Sequence, residues 1–347
     1  MGFHSFAPLA VLITALFLLQ VHCSPAAFQK RGICATEDPD ASFLSALQQV
    51  RGDESQADEA GTEARTGPIE IETWFHIISS RAERNQVTDS MINSQVRECP
   101  PSPIRSCEGS NRLPLPDSYI RNIEQHFVSN SSNQISILQD AYADASIHYH
   151  LVGVTRHVND NWARNVDDVA MKTALRKGTY RTLNVYFQTD LQATPDQAGR
   201  NGPRDLVSSV LGFCTLPDPT VNASSPASVY VKDGCNVLAQ TMPGGVLDLY
   251  NRGGTAIHEI GHWNGLLHTF QGESCAADNP GDYIADTPQQ STPTDGCPAR
   301  KDSCPGLPGV DAVHDFMDYS SDVCYESFTP GQNARMRNMW ASMREGK

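Results

Sequence analysis

The sequence predicts an α/β (α+β) domain in which a mixed sheet and its helices give way to a loop-rich C-terminal part. Three observations carry this. Ile69, Ile71, Thr73, Phe75 and Ile77 alternate with their neighbours, which is the period of a strand. Helical and strand patterns then succeed one another, ending in a strong helical stretch over 251–267. Beyond His268 the chain is rich in Pro, Gly, Asp and Cys, a composition of loops, until a helical pattern returns over 330–343.

Taken in order, the first element is a targeting segment. Residues 7–21 are almost wholly apolar and uncharged, the length of a signal-peptide core and short for a membrane span. Residues 1–23 are therefore expected to be removed before Ser24; an N-terminal anchor is the alternative. Residues 24–68 form a polar stretch with a dibasic pair, Lys30-Arg31. Its end, 51–65, is rich in Asp, Glu, Ala and Gly, which predicts a pro-segment or linker that buries little surface. The folded domain is expected over 69–347. Within it, 81–116 reads as a surface insertion carrying Cys99 and Cys107. Residues 117–143 read as helical, with Ile135, Leu138 and Tyr142 on one face, and 147–154 and 183–188 as strands.

Composition narrows the partners. The 347 residues carry a formal net charge of -14 and a pI near 5.1, which disfavours nucleic acid. No basic run suggests an anionic membrane surface, and a monomer acting on protein or peptide substrates is expected. The 10 cysteines of an exported chain favour disulfides, and losing Cys23 with the signal leaves an odd one. Sequons at Asn130 and Asn222 fit a secreted, extracellular glycoprotein.

The chemistry concentrates in His258-Glu259-Ile-Gly-His262-Trp-Asn-Gly265-Leu-Leu-His268. Four residues apart on a helix, His258 and His262 project from one face about one turn apart. Gly265 tolerates the positive φ of a sharp helix exit, which can return His268 to the same metal. Three neutral nitrogens leave one tetrahedral position open, as catalytic zinc requires. Glu259, beside the first ligand, is placed to take a proton from a zinc-bound water as general base.

The segment HEIGHWNGLLHTF followed by HDFMDYSSDVCYESFTPGQNARM resembles the pappalysin family of metzincins, particularly secreted fungal and archaeal members. The resemblance runs from about Ile69 to the C-terminus. It implies a secreted zinc endopeptidase with a metzincin catalytic domain: a twisted mixed sheet and active-site helix in an upper lobe, and an irregular, disulfide-linked lower lobe. Met317 then matches the family's methionine beneath the ligands, and Tyr319 a tyrosine near the metal that stabilises an oxyanion or serves as a structural hydroxyl. The resemblance also implies crossed disulfides, Cys275 with Cys304 and Cys297 with Cys324; Cys99 with Cys107 and Cys214 with Cys235 complete the set.

Further readings concern particular residues. Asp278, Asp282 and Asp286 form an oxygen-rich loop that suits calcium or a hydrogen-bond hub. Asp315, Asp318 and Asp322 are read either as an acidic wall favouring basic substrate residues or as carboxylates that are solvated or bind calcium. Residues 228–231 and 236–241 are the expected edge segments for an extended substrate. His314 is a candidate for touching substrate, whereas His76, His148, His150 and His157 read as packed or exposed side chains. Cys34 is left over, in the pro-segment and outside the folded domain. It is either a zymogen switch whose thiolate takes the open zinc position, or an unpaired thiol on a tail. The residue after it is Ala35, where the family's switch has glycine. A catalytically inactive metal-binding or adhesion module is the alternative to the enzyme.

Overall fold

The computed structural model describes residues 34–60, 67–92, 134–193 and 210–347. All belong to one compact unit, Gly32–Lys347. The signal-peptide expectation, Asn130, Cys99 with Cys107, and most of the helix expected over 117–143 lie outside the described residues.

The helices are α1 (Ala41–Ala60), α2 (Asp89–Ile92), α3 (Gln134–Ala141), α4 (Asp160–Ala163), α5 (Asp168–Leu175), α6 (Gly254–Trp263) and α7 (Pro330–Met343). The strands are β1 (Ile69–Ser79), β2 (Ile147–Val158), β3 (Leu183–Gln188), β4 (Gly212–Cys214) and β5 (Cys235–Leu238). They form a five-stranded mixed sheet in the order β2-β1-β3-β5-β4. All neighbours are parallel except β4, which lies antiparallel to β5 at one edge. The Cys214–Cys235 disulfide ties that edge strand to its neighbour.

The sheet core is apolar. Phe75 on β1 meets Phe187 on β3 edge-on, with ring centroids 5.1 Å apart. Ile257, Ile260 and Trp263 of α6 join the same buried cluster. Every residue of α6 is buried, so this helix runs through the interior rather than along the surface. It stops where Gly265, at φ +93, turns the chain; a Cβ there would also meet the Met339 side chain at 2.7 Å.

Residues 268–329 are loops, as composition predicts, and the disulfides Cys275–Cys304 and Cys297–Cys324 cross within them. α7 closes the chain with a capping box: Thr329 accepts from the Gln332 amide, and Gln332 accepts from the Thr329 amide. Asp286 reinforces this cap by accepting from Thr329 Oγ1 and the Gly331 amide.

One expectation needs correction. The first part of the acidic stretch, residues 51–60, is not a linker: it continues α1, whose earlier turns dock on the domain, and 61–66 lie outside the described residues. Phe43, Leu47 and Val50, spaced i, i+4 and i+7, pack with Leu267, Met339 and Met343. Glu54 accepts from Arg335 through both oxygens, at 3.0 and 2.9 Å, and from Asn338. Low average hydropathy conceals a single apolar stripe, and that stripe is enough to bury one face of the helix.

The expected substrate edges also shift. Residues 236–238 belong to β5, which is paired on both sides, and 228–231 form a turn. Among the described strands, β4 forms the edge on this side of the sheet.

Candidate metal centre

α6 delivers His258 and His262, and the turn at Gly265 returns His268 to them. His262 Nε2 lies 3.2 Å from His258 Nε2 and 3.1 Å from His268 Nε2. Tetrahedral zinc with bonds of about 2.0–2.1 Å separates its nitrogens by roughly 3.3 Å, so the three fit one ion. The opposite ring nitrogens fix the orientation. His258 Nδ1 donates to Phe316 O at 2.7 Å, and His262 Nδ1 to Leu266 O at 2.9 Å, which leaves both Nε2 lone pairs facing inward. Burial pushes His258 down to about 4 and holds His262 and His268 well below the usual histidine range, so all three are neutral, the form that binds metal.

Among the described residues, one group of His, Cys, Asp and Glu side chains comes within reach of a shared ion: His258, His262, His268 and Cys34. Cys34 therefore does not lie outside the domain. It is 5 % exposed and unpaired. It reaches the centre because its segment pairs with the edge strand: Cys34 bridges Gly212 of β4, and the Ala35 amide donates to Gly212 O at 2.9 Å. Burial and the neighbouring Glu259 charge push the thiol well above its ordinary range. A cation held among the imidazoles would reverse that balance in favour of thiolate.

Glu259 is fully buried. Its Oε2 accepts from Cys34 Sγ at 3.3 Å and from Thr36 Oγ1 at 3.2 Å, while Oε1 has no partner. Burial raises this carboxyl to about 8 against the pull of those two hydrogen bonds. A Cβ at Gly212 would come within 2.7 Å of Glu259 Cγ, so glycine lets the edge strand pass close to the carboxylate.

The loop side supplies the floor and one wall. Met317 is fully buried beneath α6, and a Cβ on Gly261 would lie 2.4 Å from its sulfur. The glycine between the two helical histidines is thus the space that admits the methionine. Tyr319 packs 5.6 Å from the His258 ring and 5.0 Å from the His268 ring, and its hydroxyl donates to Cys34 O at 3.2 Å.

The acidic wall is not there. Asp318 is buried and accepts from the Thr294 and Tyr319 amides and from Gln290 Nε2. Asp322 accepts from the Arg252 and Gly254 amides and so caps α6, and Asp315 accepts from the Met317 amide and Gln332 Nε2. These carboxylates are inward because loop amides lacking a ladder need acceptors. Asp278, Asp282 and Asp286 do not converge either: Asp278 is exposed, Asp282 accepts from the Ile284 amide, and Asp286 caps α7. His314 bonds Cys324 O and sits beside Glu326 rather than in the centre. His76 is buried between Thr155 and Asn184. Asn222 is exposed. Sequence reasoning missed Thr36, Gly212, Gly261 and the capping role of Asp322. The alternation of Cys34 and Thr36 on one face was the available signal for the first.

Comparisons with known proteins show the family. Residues 174–341 match the model of peptidase family M43, described as pregnancy-associated plasma protein-A. An extracellular metalloprotease of Aspergillus oryzae is 52% identical over 356 aligned residues, covering 99% of each chain. One from Aspergillus fumigatus is 51% identical at 99% coverage of both, and extracellular metalloprotease 1 of Coccidioides posadasii is 37% identical at 89% of both. Among solved structures, mirolysin in complex with a small compound superposes with a TM-score of 0.51 at 22% identity, over 80% of this chain and 94% of that one.

Proposed function

Because the chain belongs to peptidase family M43, among the extracellular metalloproteases of fungi, we propose that it is a secreted zinc endopeptidase made as a latent precursor. The observation that carries this is the convergence of three neutral Nε2 atoms on one point, with a buried carboxylate beside them and a single thiol closing the remaining side. Residues 1–23 serve as the signal, the pro-segment runs from residue 24 to about residue 68, and 69–347 form the catalytic domain.

His258, His262 and His268 would hold the zinc. When bound, it supplies Lewis acidity toward water and the scissile carbonyl. The chain's own residues do the rest. Glu259 takes a proton from the attacking water and passes it to the leaving amine, a task suited to a carboxyl raised by burial. Tyr319 Oη, now donating to the Cys34 carbonyl, is placed to donate to a substrate carbonyl in the same position. Met317 keeps the floor apolar and the imidazoles in place. A protein substrate lies along β4, taking over the main-chain bond that Ala35 makes with Gly212 O. Cys34 is the inhibitory switch, and α1, packed on Leu267, Met339 and Met343, anchors the segment that presents it.

The test is cleavage of a peptide library by the processed enzyme, with metal content measured in parallel. The expected result is one zinc per chain, loss of cleavage on chelation with recovery on zinc addition, and loss in Glu259→Gln with zinc retained. Cleavage that survives chelation or Glu259→Gln would overturn the reading.

A further inference from the structure

The general base has its own lock. Cys34 and Thr36 alternate along a short extended stretch, so both side chains point to the same side of it. Cys34 reaches the imidazole nitrogens, and Thr36 reaches Glu259. The Thr36 hydroxyl makes two contacts: Oγ1 lies 3.2 Å from Glu259 Oε2 and 3.0 Å from the Cys214 amide nitrogen. An amide can only donate, so it takes a lone pair of the hydroxyl, and the one hydroxyl proton is left for the carboxylate. The bond direction is therefore fixed while Glu259 is ionised. It is also held on a rigid frame, because Cys214 sits on β4 and is bound through its disulfide to β5.

We propose that Thr36 is a second, separate inhibitory residue: it holds the pro-segment to the catalytic carboxylate while Cys34 holds it to the metal position. The inference rests on the proteolytic reading above, but addresses a different group. Glu259 is fully buried, and its only partners among the described residues are Cys34 and Thr36. Thr36 satisfies a buried carboxyl oxygen that water would otherwise solvate, and by doing so keeps Oε2 of the general base engaged. It also occupies the Cys214 amide, a donor that an extended substrate would need. The two locks divide the labour, so removing either one leaves the other in place.

The experiment uses the unprocessed chain loaded with zinc. Two rates are read: alkylation of Cys34 by iodoacetamide, followed by mass spectrometry, and initial hydrolysis of a fluorogenic peptide. Thr36→Val keeps the shape and removes the hydroxyl. A buried carboxyl oxygen loses a donor, so both rates should rise about tenfold. Thr36→Ser should behave as the unaltered chain. Adding Thr36→Val to Cys34→Ala should raise hydrolysis about tenfold beyond Cys34→Ala alone, by the same bond. Thr36→Val with both rates unchanged, or Thr36→Ser as fast as Thr36→Val, overturns the proposal. Absence of hydrolysis in every variant would count against the proteolytic reading, and the alkylation rates would still decide the role of Thr36.

Discussion

The candidate metal centre is built from two halves of the molecule that are held together by different physics. His258, Glu259 and His262 stand on α6, which is seated against the sheet by apolar packing around Phe75, Phe187 and Ile260. Tyr319 and Met317 stand on the loop side, where regular elements are few. There, buried carboxylates accept from loop amides: Asp318 from Thr294 and Tyr319, and Asp311 from Ser303. Two crossed disulfides close the same region. The contrast teaches that one side of the site is fixed by excluded water and the other by specific polar and covalent links. The two sides should therefore fail differently.

The largest effect is expected on the sheet side. Phe187→Ala leaves a cavity in a fully buried position and should cost about 3–5 kcal/mol. Urea unfolding followed by fluorescence and by circular dichroism should shift together. A variant that loses only loop signals would break the contrast. Next comes the loop side. Replacing both Cys297 and Cys324 with serine opens a crossed link and should cost about 2–4 kcal/mol. Amide exchange should quicken over the loops while β1 and β3 stay protected. Asp318→Asn should cost less, about 1–3 kcal/mol, since one acceptor oxygen remains. It should lower kcat more than it lowers Tm, because the Tyr319 amide is one of the donors held.

A smaller effect sharpens the comparison through pH. Burial raises Asp315 to about 7 and Asp282 to about 8. Both therefore bind more protons folded than unfolded, and the stability they contribute is fully present below the ordinary aspartate range near pH 4. It is lost as pH rises through about 7 to 8. Loop-side exchange, corrected for its intrinsic pH dependence, should quicken over that window. Asp315→Asn should flatten the response, and an unchanged slope in that variant would contradict the assignment.

Much of this was legible in the sequence, for identifiable reasons. The strand at Ile69 alternates cleanly, and β3 matches the expected 183–188, because long apolar patterns report their own burial. The spacing of His258, His262, Gly265 and His268 encodes a helix, an exit and a return. β4 was not legible: its three residues, Gly212–Cys214, are too short to show a period. α1 was masked by acidic neighbours that outweigh Phe43, Leu47 and Val50 in any average. The inward carboxylates could not be told from solvated ones, because which loop amides lack partners is a property of the fold and not of the local sequence.

The central claim is that the pro-segment thiol and three imidazoles share one metal in the unprocessed chain. Zinc-edge X-ray absorption on that chain measures it directly. The account predicts three nitrogen neighbours at about 2.0–2.1 Å and one sulfur at about 2.3 Å, with the sulfur lost in Cys34→Ala. A spectrum with only nitrogen and oxygen neighbours, identical in Cys34→Ala, would contradict it.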